Sequence, residues 1–481
     1  MNATKLSVQL ADFKGDVYER PAAGVVNEEY DEHAYHYATS SYVGAWEPRA
    51  IIYAQQDEEH SDIRKAIDYA GQNNLSISIR SGGHQYLGFS STSGNNIQLD
   101  MSSYKDWSYD ESARTGIMGP AWRLSEIGKK CSELEIFFPH GECSHVAAGG
   151  HMNTGGYSPL FTPSFGLFID FVMWFKTITA DGTLRKVVKP TGDAVLGNTD
   201  NDDLWFAVLG GSPGNLGIVV RFQIRVLHDK EYPESRGLFQ LLPFTKDCLL
   251  DMLQLVEGNN DTPISNDYSF TCVAMSSGGK HPHEIDEEMR SEHHELYGEP
   301  IGDQFVNGFL PASVVVGAMW TGASDTDTEK RDKWFANIQA IMHKHKPASL
   351  KDRALFWITN KLMGIEDTTV HTSLSELAKT ACWKFVREFN LPLKKCVWPG
   401  PADNLKERGM AQWAADRCWE IESDSTNGCS LSCQWLSLGG HESMIVGGQQ
   451  TNLTALAHRQ SNRNVTSFAF FYETLKQEND K

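Results

Sequence analysis

The run Arg80-Ser81-Gly82-Gly83-His84-Gln85-Tyr86-Leu87-Gly88 follows directly on LSISIR, residues 75–80, whose period-two alternation reads as a strand. Two adjacent glycines let a backbone bend tightly and turn its N–H groups onto an anionic ligand with no side chain in the way; a diphosphate is the natural guest of such a nest. About sixty residues on comes Gly141-Glu142-Cys143-Ser144-His145-Val146-Ala147-Ala148-Gly149-Gly150-His151-Met152-Asn153-Thr154-Gly155-Gly156-Tyr157, with a thiol just upstream of four glycines. A third cluster, Leu209-Gly210-Gly211-Ser212-Pro213-Gly214-Asn215-Leu216-Gly217-Ile218-Val219-Val220, runs from a glycine-rich loop into a strand. None fits GxGxxG opening a Rossmann helix, or the P-loop pattern GxxxxGK[ST]. Three glycine-rich ligand loops in one region point to a long, extended cofactor. His84 and Cys143 would bring an imidazole and a thiol to it, or serve only as a turn histidine and a buried free thiol.

The elements that must carry these loops alternate between strand and helix. Ala50–Tyr53 reads as a short apolar strand. Glu58–Gly71 reads as an amphipathic helix with Ile63, Ala66, Ile67 and Ala70 on one face. Asn96–Leu99 is another strand and Leu124–Cys131 a helix, while Phe171–Ile178 and Gly217–Leu227 are β-branched or aromatic strands. Pro21–Tyr53 reads as an irregular lead-in. Beyond Leu227 the glycine clusters thin out, and Cys248–Glu257 and Lys330–His345 read as amphipathic helices beside the strand Tyr268–Met275. That change of texture places a boundary near 228–235, giving a lead-in over 1–45, a cofactor domain over 46–228 and a substrate domain over 229–481.

The 481 residues, 40% apolar and 22% charged, make an ordinary globular mix, and the net charge of −19 disfavours nucleic acid and anionic lipid. Phe309–Trp320, the longest nearly apolar stretch, falls well short of the ~20 residues that span a bilayer, so no membrane role is expected. The N-terminus has no apolar signal-peptide core, so the chain is expected to be soluble. His281-Pro-His283, His293-His294 and His343-Lys-His345 lack metal-site spacing and read as solvated surface, so no metal is expected. Nine dispersed cysteines form no paired CxxC motif, and Cys429-x3-Cys433 is open to a local disulfide, half a metal site or ordinary thiols.

The three motifs together resemble the berberine-bridge-enzyme-like branch of the vanillyl-alcohol oxidase superfamily. RSGGH, GxCxxVxxGGHxxxGGY and NDDLWFAVLGGSPGNLGIV stand in the order and spacing of that branch's flavin signatures. The resemblance is clear over residues 45–227, weak across 230–430, and returns at Gly439-Gly440 and Ala457-His458-Arg459. It implies an α+β fold: a two-part FAD-binding domain, and a substrate domain whose antiparallel sheet is covered by helices. It implies FAD held by Arg80, Ser81, Gly82, Gly83, His84, Gln85, Gly88, Cys143, Val146, Gly149, Gly150, His151, Gly155, Gly156, Tyr157, Asn215, Gly217, Ile218 and Val219. His84 matches the histidine bonded to the flavin 8α-methyl, and Cys143 the cysteine bonded to C6 in bicovalent members. An electron-poor ring and a nearby imidazole or thiolate make both additions chemically reasonable.

Val146 matches a residue lining the oxygen approach, where valine goes with oxidases. Ala147 stands where relatives have glycine. Relatives continue for several dozen residues after the His-Arg motif, so the family's C-terminal return segment, with its Asn-Tyr pair, is expected to be missing. Glu442 is the candidate base, and Gln434, Trp435 and His441 are candidate substrate contacts; each also suits a plain sheet residue. The expected activity is oxidation of an alcohol or C–H group of a sugar or secondary metabolite, with hydride passing to flavin N5 and O2 reoxidising the flavin to H2O2. The rival readings are a dehydrogenase with another acceptor and a degenerate flavin-binding protein without turnover. The resemblance is compatible with secretion, and the residues say nothing of oligomeric state.

Overall fold

The computed structural model describes residues 12–34, 47–85, 90, 96–191, 197, 199–211, 214–261, 265–275, 312–350, 352–353, 356, 360, 373–381, 393–400, 406–424, 429–437, 443–444, 454–456 and 463–471. The first sheet has the order β1-β2-β4-β3, with β1 (Val17–Glu19) antiparallel to β2 (Ala50–Tyr53), and β2, β4 (Asn96–Asp100) and β3 (Ser76–Arg80) mutually parallel. Its two faces differ in chemistry. Ala50, Ile52, Ile97 and Leu99 pack with Ile63, Ala66, Tyr69 and Ala70 of the helix Ser61–Asn73, whereas Ser78, Arg80, Asn96, Gln98 and Asp100 are polar yet buried. That helix starts at Ser61, later than periodicity suggests, because His60 adopts a left-handed φ of 52° and the Asp57 carboxylate accepts from the Ser61 N–H at 2.9 Å. The lead-in is also more ordered than its composition suggests: it supplies β1 and, within Pro21–Tyr53, a helix over Glu28–Ala34. We label the helices α1 (Glu28–Ala34) and α2 (Ser61–Asn73).

A second sheet, antiparallel throughout, has the order β5-β6-β10-β8-β9, from β5 (Trp107–Asp110), β6 (Thr115–Met118), β8 (Val172–Ile178), β9 (Leu184–Val188) and β10 (Ile218–Arg225). β7 (Ile136–Phe137) and β11 (Leu227–His228) form a separate pair. Helices α3 (Leu124–Leu134), α4 (Ala148–Asn153), α5 (Thr162–Phe165) and α6 (Asp200–Val208) connect these strands.

The third part is a six-stranded antiparallel sheet of order β12-β14-β13-β16-β17-β15. Its strands are β12 (Arg236–Pro243), β13 (Tyr268–Met275), β14 (Ser313–Trp320), β15 (Leu393–Gly400), β16 (Cys429–Ser437) and β17 (Arg463–Phe471). Within the apolar run ending at Trp320, Ser313–Trp320 forms an inner strand, and among the described residues no helix is long and apolar enough to cross a membrane. One face of the sheet is covered by α7 (Lys246–Asp261), α8 (Thr328–Lys344) and α10 (Met410–Ser423), which enclose Phe270, Cys272, Trp320 and Trp435. The other face contributes Phe239, Leu241, Val273, Val315 and Met319 to a core shared with Phe137, Phe168 and Phe222 of the first part. Helix α9 (Leu374–Ala381) lies in that shared core: Gly128 of α3 approaches Lys379, and Gly237 of β12 approaches Leu377 so closely that a Cβ there would lie 2.0 Å from Leu377 Cδ2.

At the outer strand β12, the Asn360 side chain accepts from the Leu241 N–H at 2.9 Å and donates to the Leu241 carbonyl at 3.4 Å. Cys429 and Cys433 lie on one strand, about 13 Å apart at the usual strand rise, beyond the ~7 Å a disulfide spans; a bridge between them is ruled out. Cys433 instead lies with Cys248, Cys272 and Cys418 in the helix-covered core, and no described group of three His, Cys, Asp or Glu could hold a metal.

Candidate functional site

The three glycine-rich segments, separated in sequence, meet in space. A Cβ on Gly82 would lie 2.8 Å from Ala147 Cβ and 3.0 Å from the His145 carbonyl, so the first turn is seated on the second loop through a position only glycine fits. Gly83, with φ of 61°, turns the chain toward His84, which is half-buried. Gly149 packs in the same way against Pro120, and its would-be Cβ comes within 3.3 Å of Ser81 Oγ. The second loop is pinned from behind by Leu124 N donating to the Val146 carbonyl and Ala148 N to the Trp122 carbonyl, at 2.9 and 2.8 Å. The third loop joins through Gly210 N, which donates to the Asn153 carbonyl at 2.9 Å. Gly214 closes the ring by lying against Ile79 of β3, the strand that leads to the first turn. Ala147, where the resemblance leads one to expect glycine, is the side chain Gly82 rests on.

Arg80 is only 7% exposed. It donates from Nε to the Asp100 carboxylate, from Nη1 to the His33 carbonyl at 2.8 Å, and from Nη2 to Tyr53 Oη at 2.9 Å. Its charge holds the strand end beneath the turn; stripping the partner from such a buried pair costs about 3–5 kcal/mol. Ser81 and Gln85 flank the turn, Cys143 is a half-buried free thiol, and Val146 packs partly into the shared core. Gly155 and Gly156, with φ of 100° and 67°, reverse the chain after α4 into Tyr157. Gly217, with φ of 131°, leads into β10, where the side chains of Ile218 and Val219 are core, so any ligand contact there is by backbone; Asn215 is exposed beside them.

Two histidines bracket Gly141. His151 Nε2 accepts from the Gly141 N–H at 2.9 Å, and His140 Nδ1 sits 2.9 Å from the Gly141 carbonyl. A nitrogen that accepts carries no proton, so neutral His151 holds its hydrogen on Nδ1. Burial lowers the His151 imidazole to about 3, helped by His140, and lowers His140 to about 4. Glu142, beside Cys143, has an Oε1 sealed from solvent with no hydrogen-bond partner among the described residues, and burial raises its carboxyl to about 8. Asn153 Oδ1 is likewise sealed and without a partner. Gly150 has nothing within 4 Å of its would-be Cβ. An open glycine face, buried acceptors and a fixed imidazole N–H fit the amide edge and hydroxylated chain of a flavin dinucleotide.

Sequence reasoning missed two contributors. His33 and Tyr53, in the supposed lead-in, hold Arg80. Thr454–Leu456 also comes back to the loops: Ala455 N donates to the Phe206 and Leu209 carbonyls, and Leu456 covers Gly155 and Gly210. In the large sheet, Gln434 stands opposite Val273 and so on the face toward the shared core, whereas Trp435 is 3% exposed on the opposite, helix-covered face and cannot meet a substrate there. Glu442, His441, Gly88, Tyr86, Gly439-Gly440 and Ala457-His458-Arg459 lie outside the described residues.

Residues 48–187 match the family of FAD-binding domains. An FAD-linked oxidoreductase of Gibberella zeae is 30% identical over 237 residues, covering 44% of this chain and 39% of that protein. Berberine bridge enzyme-like 19 of Arabidopsis thaliana is 30% identical over 208 residues, covering 42% and 33%. The berberine bridge enzyme from Eschscholzia californica superposes with a TM-score of 0.65 at 16% identity, covering 99% of this chain and 81% of that one. Residues 48–187 thus carry an FAD-binding domain, and the chain is similar to berberine-bridge-enzyme-like and FAD-linked proteins. The α+β fold described above is shared with that solved structure, while the matches span only about two fifths or less of these curated relatives.

Proposed function

We propose that the protein is an FAD-dependent oxidase carrying its flavin covalently, with His84 as the attachment point and Cys143 as the second. The observation that carries this reading is the convergence of the three glycine-rich loops, which seats the turn bearing His84 against the loop bearing Cys143. FAD, when bound, supplies the hydride acceptor and the group that O2 reoxidises. The chain's own work is to bind and orient. The backbone of Gly82–Gly83 and the open face of Gly150 would receive the dinucleotide, with Ser81, Gln85, Tyr157 and Asn215 around it. The Nδ1–H of His151 would donate to the electron-rich edge of the ring, and its low proton affinity keeps it a neutral donor throughout the physiological range. Val146 would leave room for oxygen. Gln434 would contact substrate from the sheet face toward the shared core, and Glu442 would take the substrate's proton.

A sugar or secondary metabolite as substrate is supported by relatives and structural neighbours that include an aclacinomycin oxidase of Streptomyces galilaeus and a chitooligosaccharide oxidase. Acid-precipitated protein is expected to remain yellow, with an intact mass increased by one FAD. His84→Ala and Cys143→Ala should each remove one of two attachments. Flavin that leaves with the supernatant defeats the covalent reading, and an unchanged linkage in both variants defeats the residue assignment.

A further inference from the structure

At the C-terminal ends of the three parallel strands, Tyr53, Asp100 and Arg80 stand side by side in register. Ligands of open α/β sheets gather at such strand ends, and the turn bearing His84 leaves from Arg80. The guanidinium is held on three sides, by Asp100, by Tyr53 Oη and by the His33 carbonyl. His33, from α1, also places Nδ1 2.8 Å from Tyr53 Oη, and its ring stacks on Tyr18 of β1 with centroids 3.7 Å apart. Because Arg80 donates to the hydroxyl oxygen, the hydroxyl's own proton is free to go to His33 Nδ1. Asp100 is fixed in turn, its Oδ1 accepting from Ser102 N at 2.9 Å.

We infer that His33 and Tyr53 are positioning residues for His84: they lock the Arg80 guanidinium, and with it the angle at which β3 delivers the Gly82-Gly83-His84 turn to the flavin. The inference rests on the reading that His84 carries the cofactor. Attachment joins an imidazole nitrogen of His84 to the 8α carbon with loss of one hydrogen from each, and O2 takes up the two hydrogens with their two electrons as H2O2. The bond forms only if the imidazole is aimed, and misplacement by about 1 Å can slow a reaction a hundredfold. No residue of the cluster need touch the flavin for this.

The test is the fraction of full-length chains carrying covalent flavin, read by intact mass after expression with equal riboflavin supply. Flavin absorbance before denaturation is read alongside, to count all bound cofactor. Tyr53→Phe, which deletes one hydroxyl, and His33→Leu are expected to lower the covalent fraction about tenfold while leaving total bound flavin unchanged. His33→Asn, which keeps an acceptor near the place of Nδ1, is expected to restore it. Wild-type flavinylation in Tyr53→Phe overturns the inference, as does equal loss of covalent and total flavin in a variant that melts with the wild type. If His33→Leu does not fold, Tyr53→Phe and His33→Asn still decide. A wild-type protein without a His84 linkage overturns the underlying assignment instead, which is a distinguishable result.

Discussion

Single side chains around Gly141 set opposing pH dependences. Glu142 ordinarily titrates near 4.5 and is raised by burial to about 8, so it contributes most to stability below pH 4.5 and loses that contribution as the pH climbs through 8. His140 and His151 ordinarily titrate near 6.5 and are lowered to about 4 and about 3, so their contribution is full above pH 6.5 and is lost as the pH falls through those values. The melting temperature of the flavin-free protein should therefore fall between pH 6.5 and pH 8, where the histidine contribution is already full and only Glu142 still titrates. Glu142→Gln should flatten that limb and leave the acid limb intact; equal slopes in variant and wild type would contradict it. The residue types at this site were legible in the sequence, because imidazole, thiol and glycine announce their chemistry. Their protonation was not, since it depends on burial by chain segments far away.

Among the elements, the loops divide their glycines between two duties. Gly82 has no room for a methyl group, so Gly82→Ala should push the first two loops apart and lower stability by about 1–3 kcal/mol. Gly150 lies inside α4 with open space before it, and alanine is the better helix former by about 0.8–1.0 kcal/mol. Gly150→Ala should thus raise the melting temperature of flavin-free protein slightly and yet weaken FAD binding, measured by fluorescence titration. Unchanged affinity would remove Gly150 from the cradle. Strand alternation was readable from composition, and β13 falls at Tyr268–Met275 as expected. α1 and β1 were missed because their stability comes from pairing with β2 and from Arg80, and seven or three residues of mixed polarity carry no period of their own.

At the scale of the whole molecule, the strands up to His228 and those from Arg236 onward belong to different sheets, yet they pack into one core. Phe239, Val273 and Val315 share a core with Phe137 and Phe222, and Leu377 of α9 is wholly buried at that junction. Leu377→Ala should cost about 2–5 kcal/mol, and calorimetry should show one transition in both proteins. Two separate transitions in the wild type would show that the shared core does not couple the parts. This coupling was invisible in sequence because contacts such as Gly237 with Leu377 and Gly128 with Lys379 join residues more than a hundred positions apart, and local periodicity cannot report them.

The side chain of Asn360 occupies the outer strand β12 much as one residue of a neighbouring strand would, satisfying both the N–H and the carbonyl of Leu241. An outer strand is where foreign strands add and chains cluster into aggregates. Asn360 thereby acts as a doorstop against self-association, and its value shows in colloidal behaviour more than in catalysis. Asn360→Ala should give greater light scattering with rising protein concentration, with little change in bound flavin. A variant as dispersed as the wild type would mean that other residues guard this border.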